Sequence, residues 1–153
     1  ADNQLHDAEA TLKNPRKSGT IKIEVTSTQT DETTMRRQAL VRHGHVWMTG
    51  PVWREGRHIM SSPEMEDYDK KRSRLIEHAF DRFRAKAEQE DDPHTAVLVY
   101  VDSFLSLPFW YRSKLLEQTR NYLITQRPTL YGAYYCYQAD QVSTVCETTY
   151  PNS

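Results

Sequence analysis

Glycine and cysteine are scarce in this chain, five and two among 153 residues. None of the five glycines is spaced as a phosphate-cradling loop requires, and no Gly-x-Ser-x-Gly turn presents a serine nucleophile. No apolar run approaches the roughly 20 residues of a membrane-spanning helix, so no membrane span is expected. An excess of one charge is missing too: 20 Lys and Arg stand against 21 Asp and Glu, a formal net charge of −1. That balance removes any bulk attraction to nucleic acid or to an anionic membrane, and it argues against nucleic acid as a partner. Hydrophobic residues make up only 37% of the chain. This is enough for one core with some extended or unpacked segments, and the length fits a single domain.

What is present is unevenly spread. The stretch "LYGAYYCYQADQVSTVCETTY", Leu130 to Tyr150, holds both cysteines and five of the nine tyrosines. It reads as two strands folded back on each other. In the first, Leu130, Gly132, Tyr134 and Cys136 alternate with Tyr131, Ala133, Tyr135 and Tyr137. A three-residue turn at Asp140 to Val142 sets Cys136 opposite Cys146 and permits a disulfide. A two-residue turn at Ala139-Asp140 leaves Cys146 opposite Ala133 and forbids it, because a bridge needs Cα atoms within about 7 Å. Nine residues separate the thiols, unlike the two of oxidoreductase motifs. The expectation is a structural bridge between Cys136 and Cys146. It matches an exported chain, periplasmic or extracellular, and the small first residue Ala1 is what signal cleavage leaves. A cytoplasmic chain would keep both thiols reduced.

Upstream, residues 1–19 read as a mobile N-terminal arm and 20–153 as one α+β domain. "TIKIEVTS" alternates as a half-buried strand with Ile21, Ile23 and Val25 inward and Lys22, Glu24 and Thr26 outward. "QALVRHGHVWM" reads as a second strand, and the turn signals "TGP" and "REG" make a short meander ending near Met60. "SSPEMED" has capping-box spacing at Ser61 and Glu64 and opens a helix over about 62–89, with an apolar stripe of Tyr68, Leu75, Ile76, Ala79, Phe80 and Phe83. "TAVLVYVD", Thr95 to Asp102, is a continuous apolar run that suits a central strand. A second helix enters at Ser106 and Pro108 and stops at Arg127-Pro128. These elements predict an α+β fold: a mostly antiparallel sheet, two helices packed on one face, and a C-terminal β-hairpin.

Three constellations could carry function. Tyrosine combines rigid contact area with a hydroxyl and is enriched in interfaces. Tyr131, Tyr135 and Tyr137 of the ribbon, with Phe109, Trp110 and Tyr111, are therefore the candidate binding residues. They suit a non-enzymatic binding or assembly module of an exported system, acting through contacts with another protein and needing no cofactor. The alternative is a small metal-assisted hydrolase. On a strand His43 and His45 share a face and can chelate zinc, with His58, Glu55 or His94 supplying a third ligand. Asp102 ends a buried strand, where catalytic acids often sit, with His94 or Glu117 as helpers. The cluster "KKRSR", Lys70 to Arg74, is read as a solvated helix face balanced by Glu66 and Asp67.

Overall fold

The structure is a computed structural model that describes residues 8–14, 17–44, 52–54, 57–60, 67–102, 106–139 and 142–149. The elements run β1 (Ala8–Asn14), β2 (Lys17–Ser27), α1 (Asp31–His43), β3 (Val52–Arg54), β4 (Arg57–Met60), α2 (Tyr68–Ala87), β5 (Thr95–Asp102), α3 (Phe109–Gln126), β6 (Gly132–Ala139) and β7 (Val142–Thr149). The fold is α+β, with a sheet of order β1-β2-β5-β6-β7 and a separate two-stranded β3-β4 pair.

The sheet is mixed rather than mostly antiparallel. β5 lies between β2 and β6 and runs parallel to both, while β1 and β7 pair antiparallel at the two edges. The reason is the alternation of strands and helices. α2 and α3 each return the chain across the sheet before the next strand begins, so that strand points the same way as the last. The run Ala8–Asn14, expected as part of a mobile arm, is a strand paired with Lys17–Ile23. Ala8, Ala10 and Leu12 alternate in sequence with Glu9, Thr11 and Lys13, which is the pattern of a half-covered edge strand.

The described part of the second expected strand, residues 38–43, is helical and closes α1. Thr30 caps α1: the Thr33 N–H donates to Thr30 Oγ1 at 3.2 Å, and the Thr30 N–H donates to Thr33 Oγ1 at 2.8 Å. At the other end Gly44 takes a left-handed conformation (φ 70°) and donates its N–H to Leu40 O at 2.8 Å. The glycine that interrupts a strand pattern in sequence is thus a helix terminator. The capping box at Ser61 and Glu64 lies outside the described residues. Within them, α2 starts at Asp67, whose Oδ1 accepts from the Asp69 N–H at 3.0 Å.

α2 and α3 pack together over one face of the sheet. Val97, Val99 and Val101 of β5 stand beside Ala133, Tyr135 and Tyr137 of β6, and all six are buried against Ile76, Ala79, Phe83, Leu115 and Leu123. Phe83 meets Tyr122 edge to face at 5.7 Å and Tyr135 at 6.4 Å, a geometry that adds to the burial of the rings. β2 reverses part of its expected polarity on this face. Glu24 is buried and accepts an ion pair from Lys86 of α2 at 3.0 Å, whereas Val25 is exposed. A helix laid over Glu24 supplies the cation that lets a carboxylate go inward.

Candidate binding edge

β5 ends at Asp102, which is buried, at the edge of the sheet where α2 and α3 begin. Two residues of other elements hold it. The Asp102 N–H donates to Thr28 Oγ1 at 2.8 Å, and Thr28 Oγ1 donates back to Asp102 O at 3.2 Å, extending the β2–β5 pairing by one side chain. Arg37 of α1 grips the carboxylate with both arms of its fork: Nε donates to Oδ2 at 3.1 Å and Nη2 donates to Oδ1. The bidentate pair raises the Arg37 guanidinium above its ordinary range. Burial, then the Asp102 charge, pushes the phenol of the neighbouring Tyr100 up. Both carboxylate oxygens of Asp102 are committed to anchoring α1, so its expected role as a catalytic acid is not supported. His94 precedes the opposite end of the eight-residue strand, about 25 Å away at the rise of an extended chain, and Glu117 is exposed on α3. Ser103 lies outside the described residues.

The starts of α2 and α3 are tied to each other. Asp69 Oδ1 accepts from the Tyr111 hydroxyl at 2.9 Å and from Arg72 Nη1 at 3.3 Å, and Arg72 Nε donates to Ser106 O at 3.0 Å. Around this link three large rings face solvent: Phe109 (74% exposed), Trp110 (66%) and Tyr68 (53%). Tyr111 lies between, half-buried, with its ring 6.0 Å from that of Trp110. The N-cap of α3 is Pro108, which makes no side-chain cap hydrogen bond.

The six expected binding residues therefore separate. Phe109 and Trp110 are surface residues, and Tyr111 braces them. Tyr135 and Tyr137 are core residues, stacked at 6.4 Å on the helix-covered face. Thr119 Oγ1 donates to Leu115 O at 2.9 Å and lies 2.6 Å from the Tyr135 hydroxyl, which consequently donates to it. Tyr131 is half-buried just before β6, its N–H bound to Thr95 O at 2.8 Å.

The disulfide is also overturned. The observed register sets Cys136 opposite Val145 and Tyr135 opposite Cys146, with Ala139 opposite Val142. The two cysteine positions are one step out of phase, and such positions belong to opposite faces of a sheet. Cys136 is a free, half-buried thiol. Of the expected metal pair, His43 is the last residue of helix α1 rather than part of a strand. His45 and Glu55 lie outside the described residues, as does the side chain of His58 in β4. Among the described residues no group of three His, Cys, Asp or Glu is arranged to hold a metal, and no helix is long and apolar enough to cross a membrane.

Sequence reasoning missed two parts of this region. Tyr68 was grouped with the buried stripe of α2, yet it is exposed at the helix start. The Arg37–Asp102 pair spans 65 positions and leaves no local signal. No family model matches the chain, and no curated protein or solved structure shows significant similarity to it.

Proposed function

We propose that the protein is a non-enzymatic binding module whose contact surface is the aromatic edge formed by Tyr68, Phe109 and Trp110. The observation that carries this reading is the exposure of Phe109 and Trp110 at the start of a helix braced by Tyr111–Asp69 and Arg72–Ser106. Exposed large rings on a rigid support are what an interface anchor requires, because little conformational freedom is lost on contact. The Asp102 carboxylate, buried at this end of the sheet, is occupied by Arg37, which favours binding over catalysis. The reading does not lean on compartment, since the argument for export leaned on a cysteine bridge and Cys136 is a free thiol.

The test is a panel of fluorescent probes read by anisotropy: a single-stranded oligonucleotide, an acidic peptide, and an anionic vesicle. Wild type should retain at least one of them. The double variant Phe109→Ser/Trp110→Ser should lose that probe while its unfolding transition stays in place. Equal behaviour of the two proteins toward every probe would reject the aromatic edge.

A further inference from the structure

β1 stands at one end of the five-stranded sheet, and no strand among the described residues pairs with its outer side. Its register with β2 runs unbroken over all seven residues, Ala8 to Asn14, without the bulge that commonly twists an edge strand out of reach. Ala8, Glu9 and Thr11 are exposed. The hydrogen bonds of β2 decide which groups of β1 point outward. The Lys22 N–H donates to His94 O at 2.9 Å and the Thr28 N–H to Tyr100 O at 3.0 Å, so even-numbered residues here turn their backbone groups toward β5. The alternation of a strand then turns Gly19, Ile21 and Ile23 toward β1, where they meet Leu12, Ala10 and Ala8. The N–H and C=O groups of Glu9, Thr11 and Lys13 are left pointing away from the sheet.

These outward positions are their own complement. With the same strand of a second copy laid antiparallel, and a two-fold axis through Thr11, Glu9 falls opposite Lys13, Thr11 opposite Thr11, and Lys13 opposite Glu9. Each of these pairs can exchange both of its N–H···O bonds. On the other face of the strand Ala10 falls opposite Leu12. Opposite charges, two hydroxyls and two apolar residues are the cross-strand matches that stabilise a sheet. Sliding the strands by two residues either way separates Glu9 from Lys13, and an in-register parallel arrangement sets like charges together. The other edge of the sheet offers no such match. β7 holds a single charged residue, Glu147, so a second β7 has no cation to place against it.

From this register we infer that the partner of β1 is a second copy of the chain, paired across a two-fold axis at Thr11. The two sheets then continue as one, five strands from each copy, and both copies carry α2 and α3 on the same face. A two-fold contact of one patch with itself closes at the dimer. α2 is tied to β2, one strand in from this edge, through Lys86 and Glu24. The interface covers little more than one strand from each copy. That is below the size of a permanent interface, so the dimer is reversible. It shares no residue with the aromatic edge, and neither surface depends on the other.

The experiment is sedimentation equilibrium of the full chain over a concentration series, with the unfolding transition of every variant recorded beside it. Wild type should rise toward twice the mass of the chain as concentration increases. Glu9→Lys and Lys13→Glu should each weaken the dimer about tenfold, because both symmetry-related charge pairs become repulsive. The double exchange Glu9→Lys/Lys13→Glu restores opposite charges across the axis and should dimerise like wild type. An equimolar mixture of the two single variants should form a mixed dimer for the same reason. Thr11→Pro removes an outward N–H, a position where an edge strand tolerates proline, and should abolish the dimer. The charge exchange tests the register whether or not that variant folds. A chain that stays monomeric up to about 1 mM overturns the proposal. So does a dimer indifferent to both single charge variants, which would join the copies elsewhere. Mass that climbs past the dimer marks head-to-tail pairing of β1 with β7 and overturns the two-fold. Phe109→Ser/Trp110→Ser should leave the dimer intact, and its loss there would place the contact at the aromatic edge instead.

Discussion

Two groups of aromatic residues that look alike in sequence have opposite fates in this fold. "AYYCY" of β6 and "FWY" of α3 are each dense in rings, and each is a natural candidate for a binding surface. In β6 the period of two sends Tyr135 and Tyr137 to the face that α2 and α3 cover, leaving them 0% and 4% exposed. In α3 the rings sit in the first turn, where Tyr111 turns toward the core and Asp69 while Phe109 and Trp110 stay exposed. Ring content therefore says less than position within the element. A ring at the centre of a covered strand is core, and one on the outer side of a helix entry, as Phe109 and Trp110 are, is surface.

The largest expected effect lies in stability. Tyr135→Ala empties a fully buried site and removes the hydrogen bond to Thr119, and it should cost about 3–5 kcal/mol in denaturant unfolding. Trp110→Ala should stay within about 0.5 kcal/mol of wild type. Similar losses at both positions would erase the distinction between core ring and surface ring.

A smaller loss is expected at the anchor beneath the aromatic edge. Arg37→Ala leaves the Asp102 carboxylate, 3% exposed, without its partner. Breaking a fully buried pair costs roughly 3–5 kcal/mol, but the Arg37 side chain is 35% exposed, so about 2 kcal/mol is expected. Hydrogen exchange should show α1 loosening while α2 and α3 stay protected. Uniform loss of protection would mean that α1 is part of the main core.

The smallest effect is on the alkaline side. Burial pushes the Tyr135 phenol above the ordinary tyrosine value of 10.0. The unfolded chain therefore releases that proton first as pH rises, and stability falls above about pH 10. Tyr135→Phe should cost about 1 kcal/mol at neutral pH through the lost hydrogen bond and should flatten this alkaline fall. Tyr100 and Tyr122, also raised by burial, keep part of it. An unchanged alkaline slope in the Phe variant would show that Tyr135 meets solvent.

Much of the framework was legible in the residues. "TAVLVYVD" is β5 from its first residue to its last, and Pro108 and Arg127-Pro128 bracket α3. α1 was not legible, because Leu40 and Val41 are both exposed and no apolar stripe distinguishes the helix from an irregular strand. Its true signals were Thr30 with Thr33 at the start and Gly44 at the end. The direction of the strands also escaped, since it depends on how α2 and α3 return the chain rather than on any local pattern. The cysteine pairing hung on the choice of turn, where a shift of one residue changes which positions meet. Of the candidate site, Phe109 and Trp110 were visible as rings, but the Tyr111–Asp69 and Arg72–Ser106 links beside them show only once α2 and α3 lie side by side.

The parallel pairing of β2 with β5 has a consequence for how the chain assembles. Lys22 meets Thr95 across the sheet, so β2 must wait until more than seventy further residues exist before its inner edge is covered. β5, α3 and β6 are close in sequence and can condense among themselves with little loop to close. The carboxyl-terminal half then serves as the template, and the first hairpin, already paired through β1, docks onto it last.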